Sequence, residues 1–315
     1  MNSLNKLKKL ESELRETKDY LGEQEGALNL TKEYFKSYIG KGQPPAEKMN
    51  EDYLKLCYEQ VQNSILYDRD QALKNIGIGI AIAEKINSLK FKLDFLSKAQ
   101  YVLYEIFEFP HVAMSLGNYI VLNTEDYDNR KAWTHFHNGN IWLDLEEFNN
   151  AKEEYEQAKE LAIKMSNKNA EMTIYERLGL VSRKLKEWNL AEDYYKRSEE
   201  IENNGNTQDS DSIKNKVRRL IGLGLVYYDR ALDETNNNKK EKLCQNSEIY
   251  FKEALQIANW VNYPANKAAA YSSLGDLYRE CYSKLFHRMA YDINTNILEL
   301  SPQLKRVKHD ADRMN

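Results

Sequence analysis

Residues 132–162 read AWTHFHNGNIWLDLEEFNNAKEEYEQAKELA, and residues 172–202 read MTIYERLGLVSRKLKEWNLAEDYYKRSEEIE. Laid one on the other without a gap, the two stretches agree wherever packing is demanding. Gly139 falls on Gly179, Phe148 on Trp188, Ala151 on Ala191, Tyr155 on Tyr195 and Ala158 on Ser198, each at an offset of 40. A glycine in a first helix lets a second helix come close, and a large aromatic at the turn fills the gap between them. Tyr155 and Tyr195 follow their alanines by one helical turn and so point into the same seam. Small and large positions alternate because two antiparallel helices must interlock. Self-similarity at this period marks a stacked array of helical hairpins.

The pattern extends to both sides. Upstream, Ala99 and Ala113 take the two small positions, and Pro110 opens the second helix as proline at a first helical position does. Downstream, Leu223-Gly224 with Tyr227 starts a unit completed by Ser247, Phe251 and Ala254. An insertion around Glu234–Leu243 lengthens that hairpin. Leu274-Gly275 with Tyr278 opens a last unit, which holds Ala290 and Ile297 and stops at Ser301-Pro302. The first unit is the least regular: Ala72, Ile76 and Gly79 fit a second helix, but its partner near Tyr53–Leu66 has no clear small position. Ile76 to Ala83 alternates apolar residues with period two, a strand signature. Helix is nonetheless expected there, because a lone strand would leave its backbone groups unpaired. Asn203–Ser212 and Asn236–Lys240 read as polar loops.

A small residue at the eighth position, an aromatic near the seventeenth, alanine at the twentieth, an aromatic at the twenty-fourth and a small residue at the twenty-seventh resemble the tetratricopeptide repeat. The spacing of about 40 residues resembles its longer-repeat subgroup, found in Leu-Gly-Asn scaffolds, peptide-sensing bacterial regulators and the sensor arms of signalling ATPases. The resemblance covers roughly residues 50–302. It implies an all-α, right-handed solenoid of helix-turn-helix repeats. The expected organisation is an N-terminal helical segment over 1–45, the solenoid over 46–302 and a capping helix over 303–315.

Within residues 1–39, Leu7, Leu14, Leu21 and Leu28 recur every seven residues. Two readings stand. One is a dimerising coiled coil, with self-association through residues 1–39. The other is an amphipathic helix or hairpin packed on the first repeat, since Thr17, Gln24 and Thr31 spoil the other half of the seam. Gly40 to Pro45 breaks the helix.

Composition excludes several classes. The 315 residues carry 45 basic and 49 acidic side chains, so no electrostatic footprint for a nucleic-acid backbone is present. The mean hydropathy is -0.75, and Ile76 to Ala83, the longest apolar run, is far short of the roughly 18 residues that cross a membrane. Cys57, Cys244 and Cys281 are scattered, as in a reduced, cytoplasmic protein. Gly222-Leu223-Gly224 lacks the third glycine and the lysine of a phosphate loop. His135 and His137, two apart on a helix, face different ways and cannot chelate one metal ion; His135 sits at a packing position. No enzyme activity, cofactor or metal is expected.

The resemblance implies that first helices line a concave face. Positions five, nine and twelve are then Leu96, Gln100 and Leu103; Phe136, Asn140 and Leu143; Glu176, Leu180 and Arg183; Ile221, Leu225 and Tyr228; and Ser272, Asp276 and Arg279. Asn140 can donate and accept towards an extended peptide, and Arg183 and Arg279 can hold carboxylates. The alternative for the charges is pairing within the protein, Glu176 with Arg183 and Asp276 with Arg279. A protein or peptide partner is therefore expected at Phe136, Asn140, Leu143, Arg183, Tyr228 and Arg279. The competing docking site is the Leu7, Leu14 and Leu21 stripe. The chaperone-binding relatives' lysine at position five is replaced by Phe136, which argues against that partner class. Two functions follow from the resemblance: a scaffold, or the sensor or adaptor arm of a larger signalling or defence assembly that regulates an effector enzyme.

Overall fold

The computed structural model describes residues 3–17, 50–86, 88–125, 128–204, 210–261 and 264–281, and among them regular structure is all helix. The helices are α1 (Ser3–Thr17), α2 (Glu51–Ser64), α3 (Arg69–Lys85), α4 (Leu89–Glu105), α5 (Pro110–Leu122), α6 (Asn129–Asp144), α7 (Phe148–Lys164), α8 (Lys168–Lys184), α9 (Trp188–Asn204), α10 (Ser210–Asp233), α11 (Asn237–Trp260) and α12 (Pro264–Cys281). None of them is long and apolar enough to cross a membrane. They group into two compact units, Met1–Leu145 and Glu146–Asn315, a division that falls inside the expected 46–302 stretch.

Local chemistry sets the helix ends. Asn50, Asp68, Asn167 and Asn236 each accept a backbone N–H three residues on, at 3.0, 3.0, 3.2 and 3.1 Å, satisfying a donor that the first turn leaves unpaired. Asp128 accepts from the Arg130 N–H at 2.8 Å. Glu108, Ser166 and Lys186 turn into the left-handed region, with φ of 60°, 53° and 61°. The next residue in each case donates its N–H back past the helix end, Phe109 over six residues to Leu103, and Asn167 and Glu187 over five to Ala162 and Ser182, at 2.9, 2.9 and 2.8 Å. This closes the helix end in the geometry where glycine is usual, without a glycine to announce it.

In the first unit, α3 settles the strand-like stretch as helix. Ile76, Ile78, Ile80, Ile82 and Ala83 are all buried, so this helix is covered nearly all round by α1, α2 and α4. Burial on every side removes the polar face that would have shown a 3.6-residue period. The small position missing from α2 is supplied by α3: a Cβ on Gly79 would lie 1.9 Å from Cζ of Phe95 on α4. Leu7, Leu10 and Leu14 of α1 are buried, with α1 against α5 and α3. Burying each leucine contributes on the order of 2 kcal/mol. The Glu11 carboxylate caps α5, accepting from the His111 and Val112 N–H groups at 3.0 Å each and lying 2.5 Å from His111 Nδ1. The α1 stripe is thus consumed inside the unit. Leu7 and Leu14 cannot serve as a dimer seam or docking face, because both are already covered. Leu21, Leu28 and the capping helix expected over 303–315 lie outside the described residues.

The second unit shows the repeat rule directly. Tyr195 of α9 is buried between two glycines, with Gly179 of α8 on one side and Gly222 of α10 on the other. Gly224 faces Phe251 of α11 in the same way. Asn236–Lys240 is not a loop: Asn236 caps α11, and 237–240 form its first turn. The insertion lengthens helices, so α10 and α11 have 24 residues each where α8 and α9 have 17.

Tyrosine–carboxylate bonds tie α7 to α9, α9 to α10 and α11 to α12. Tyr194 donates to Glu156 at 2.5 Å, Tyr227 to Glu192 at 2.9 Å and Tyr278 to Glu248 at 2.6 Å. Burial, then the bonded carboxylate, pushes all three phenols up, that of Tyr278 to about 12. Phenols ordinarily titrate near 10, so the folded state holds these protons more tightly than the unfolded chain. Their contribution is intact below about pH 10 and is lost as pH rises through the folded values. The urea midpoint should therefore be flat from pH 8 to about 9.5 and fall steeply above 10. Tyr278→Phe should cost about 1 kcal/mol at pH 8 and flatten the alkaline limb. An alkaline limb identical to that of the unaltered chain would disprove the role of this bond.

Candidate partner-binding cleft

Three first helices of the second unit, α8, α10 and α12, frame an open cleft of about 390 Å³. Its walls are Arg183 and Lys184 from α8, Leu225, Tyr228 and Asp229 from α10, and Ser273 and Asp276 from α12. Helical spacing explains the set. Leu225 and Asp229 are four apart, as are Leu180 and Lys184, so each pair shares a stripe. Tyr228 is half-buried. Burial first, and then the Asp276 and Glu280 carboxylates, push its phenol well above the ordinary range, so it stays protonated and able to donate near neutral pH.

Arg183 and Tyr228 are brought to this one cleft. Arg183 is only 4% exposed, and its partner is Asp229 at 2.5 Å rather than Glu176. Helix geometry accounts for the difference: Glu176 lies two turns before Arg183, nearer the cluster formed with α10. There Glu176 Oε2 is 3.8 Å from Arg218 and Oε1 is 3.9 Å from Arg219, while Arg219 binds the Glu202 carboxylate. Burial pushes the Glu176 carboxyl up, opposed by Arg218 and Arg219. Arg279 is exposed and pairs with Asp276 and with Glu280, so it reaches the cleft only through Asp276.

Phe136, Asn140 and Leu143 lie on α6 of the first unit and are 6%, 7% and 8% exposed. The ring of Phe136 meets Trp133 edge-on at 5.3 Å and His137 at 5.7 Å, and Tyr101 of α4 stands 5.7 Å from His137. Leu96, Gln100 and Leu103 are buried as well. Gln100 donates to Asn138 at 2.8 Å, and Asn138 donates to Asn118 at 3.3 Å. Gly117 makes room for this network, since a Cβ there would lie 2.3 Å from Asn138 Oδ1. In this unit the first-helix positions serve packing, and the exposed aromatic nearby is Tyr101.

Lys184, Asp229 and Ser273 were not singled out from sequence. The first two sit four residues beyond ninth positions, and that spacing was the available signal.

No protein-family model matches the chain, and no curated protein matches it by sequence. Solved structures do match. A signal transduction ATPase with numerous domains from Pyrococcus horikoshii, which has a tetratricopeptide repeat sensor, superimposes with a TM-score of 0.57 at 18% identity. The match covers 92% of this chain and 42% of that one, so the chain spans less than half the length of the archaeal protein. Aspartyl phosphate phosphatase F from Bacillus subtilis gives a TM-score of 0.59 at 11% identity, over 99% of this chain and 91% of that one. Likeness at such identities is likeness of fold, and the fold is an all-α solenoid of tetratricopeptide-like helical repeats.

Proposed function

We propose that this chain is a non-enzymatic scaffold of the longer-repeat, roughly 40-residue tetratricopeptide type, binding a protein or peptide segment on its first-helix face. The cleft between α8, α10 and α12 carries this reading. It offers a half-buried tyrosine, an apolar floor at Leu225, hydroxyls and charges of both signs on side chains from three successive repeats. Tyrosine and arginine are the residue types that most often dominate interface energies. The near-balanced charge favours a protein partner over nucleic acid. Three free cysteines, with Cys244 and Cys281 within hydrogen-bond reach of each other and unbridged, fit a reducing, cytoplasmic setting.

The test is an affinity pull-down of the full chain from its native cell, followed by titration of the captured partner. Tyr228→Ala should weaken binding by about 2 kcal/mol, roughly 30-fold, with the helical spectrum and cooperative melting retained and the melting temperature lowered only by the loss of a ring that packs partly on the core. Undiminished binding by this variant would remove the cleft from the interface. Incubation with acetyl phosphate, a small acyl phosphate, should give no hydrolysis above background; sustained turnover would overturn the non-enzymatic reading.

A second reading is a sensor or adaptor arm that regulates an effector enzyme in a larger signalling or defence assembly. The observation favouring it is the fold match over 92% of this chain to an ATPase with a repeat sensor. Co-purification with an enzyme whose activity changes on adding this chain would select it.

A further inference from the structure

Two of the three cysteines, far apart in sequence, are neighbours in space. Cys244 stands early in α11, and Cys281 closes α12. The two helices pack on each other, with both cysteines at the end away from residues 261–263. Cys244 is 1% exposed, inside the apolar core of the second unit, and the half-buried Cys281 packs against that core. Their sulfurs are within hydrogen-bond reach, with Cys281 donating. This bond holds the Cys244 thiol below the usual thiol range against the opposing effect of burial, and the Lys240 ammonium adds to it. The same bond, and then burial, push the Cys281 thiol up. The carboxylates nearby are Glu241 and Glu280. Cys57 on α2 of the first unit is the contrast. It is 1% exposed, and burial alone pushes its thiol up to about 11, which leaves it inert near neutral pH.

We propose that Cys244 and Cys281 form a dithiol site that a hydroperoxide oxidises reversibly to a disulfide, fastening the end of α12 to α11. Facing side chains from two packed helices, already within hydrogen-bond reach, need only a short closing movement to bond. Cys281 at the helix end is the sulfur that a small oxidant meets, and Cys244 lies beneath it to complete the bond. With hydrogen peroxide the steps balance as follows. Cys281 hands its proton to the Cys244 thiolate as its own sulfur attacks one peroxide oxygen. The O–O bond breaks, Cys281 becomes a sulfenic acid, and the released hydroxide takes up a proton and leaves as water. The Cys244 sulfur then attacks the Cys281 sulfur, its proton going to the departing hydroxyl. An S–S bond replaces the S–O bond, and a second water leaves. The pair has given two electrons and two protons to the peroxide. A thiol reductant reverses the change by exchange. No group of three or more His, Cys, Asp or Glu suited to a metal ion stands among the described residues, so the pair fits a redox couple better than half of a tetrahedral metal site. Because α12 also carries Ser273 and Asp276 of the cleft wall, the bridge holds that wall against α11.

The experiment treats the full chain with hydrogen peroxide, blocks the remaining thiols with iodoacetamide and maps the products by mass spectrometry without reduction. The unaltered chain should lose two of its three alkylatable thiols and yield one linked peptide pair holding Cys244 and Cys281, with Cys57 alkylated. The oxidised chain should melt at least about 5 °C higher. Its amide hydrogens over residues 264–281 should exchange at least about tenfold more slowly. Dithiothreitol should reverse both changes. Cys57→Ser should behave as the unaltered chain does. Cys244→Ser should stop at a sulfenic acid on Cys281, trapped by dimedone, with no gain in melting temperature. Oxidation of Cys57 as fast as the pair, bridges formed only between chains, or a Cys281 sulfenic acid that persists in the unaltered chain would overturn the site. A mapped bridge with melting and exchange unchanged would overturn the fastening of α12.

Discussion

Gly224→Val is expected to lower the unfolding free energy by about 3 kcal/mol, at the upper end of what overpacking a core costs. A Cβ at this position would lie 2.3 Å from Cε1 and 2.5 Å from Cδ1 of Phe251, whose ring is fully buried. The backbone cannot retreat cheaply, because Ser247 donates its hydroxyl to the Gly224 carbonyl at 2.8 Å and fixes the spacing of α10 and α11. Gly179→Val should follow at about 2 kcal/mol. Its Cβ would stand 2.9 Å from the Tyr195 ring, a milder overlap, but that ring has little room to swing away because Gly222 packs on its other side, so closely that a Cβ there would lie 2.5 Å from the ring. Urea denaturation followed by far-ultraviolet circular dichroism measures both. Midpoints unchanged in the two variants would mean that these helices do not pack at the glycines.

Arg219→Ala should cost about 3–5 kcal/mol at pH 7, the range for removing one member of a buried ion pair. Arg219 is 1% exposed. It bonds to the Glu202 carboxylate and lies 3.9 Å from Glu176, linking α8, α9 and α10. Without it, the Glu202 carboxylate loses its bonded counter-charge, and Glu176 loses one of the two arginines that oppose its burial. The Glu176 carboxyl is already pushed up by burial, and loss of Arg219 should push it further. A carboxyl raised above its unfolded value contributes stability below that value and loses it as pH rises. The deficit of the variant should accordingly shrink between pH 7 and about pH 5, because protonated carboxyls need no counter-charge. Arg219→Met combined with Glu202→Leu should recover much of the loss, since well-packed apolar replacements of a buried pair are often neutral. A pH-independent deficit, or one below about 1 kcal/mol, would show that the cluster is not the reason for the effect.

Much of the architecture was legible because tetratricopeptide-like packing writes itself into residue size. Glycine or alanine against tyrosine or phenylalanine, at fixed spacing, leaves few other ways for two helices to meet, and Gly179 with Tyr195 is the direct instance. The irregular first repeat was harder to read because its close approach is made by Gly79 of α3 against Phe95 of α4, one helix later than the rule places it. The loop expected over Asn236–Lys240 was misread because asparagine serves turns and helix N-caps alike; only the hydrogen bond from the Lys239 N–H to Asn236 decides between them.

The candidate site divides along the same line. Sequence determined which residues stand on first helices, since a position in a repeat fixes a direction around the helix axis. It could not determine which of those side chains remain available. Phe136, Asn140 and Leu143 occupy the same repeat positions as Glu176, Leu180 and Arg183, and all but Glu176 are buried to a similar degree, yet Phe136 packs in an aromatic cluster while Arg183 forms the wall of an open cleft through its ion pair with Asp229. Leu7 and Leu14 carry a dimerisation signature, yet α5 and α3 cover their helix. Charge pairing was decided by tertiary structure alone: Arg183 meets Asp229, 46 residues away, in place of Glu176 on its own helix. An ion pair depends on angstrom-scale separation between different helices, and no local pattern encodes that distance. Periodicity fixes the face of a helix, and packing between helices fixes what that face still has to offer.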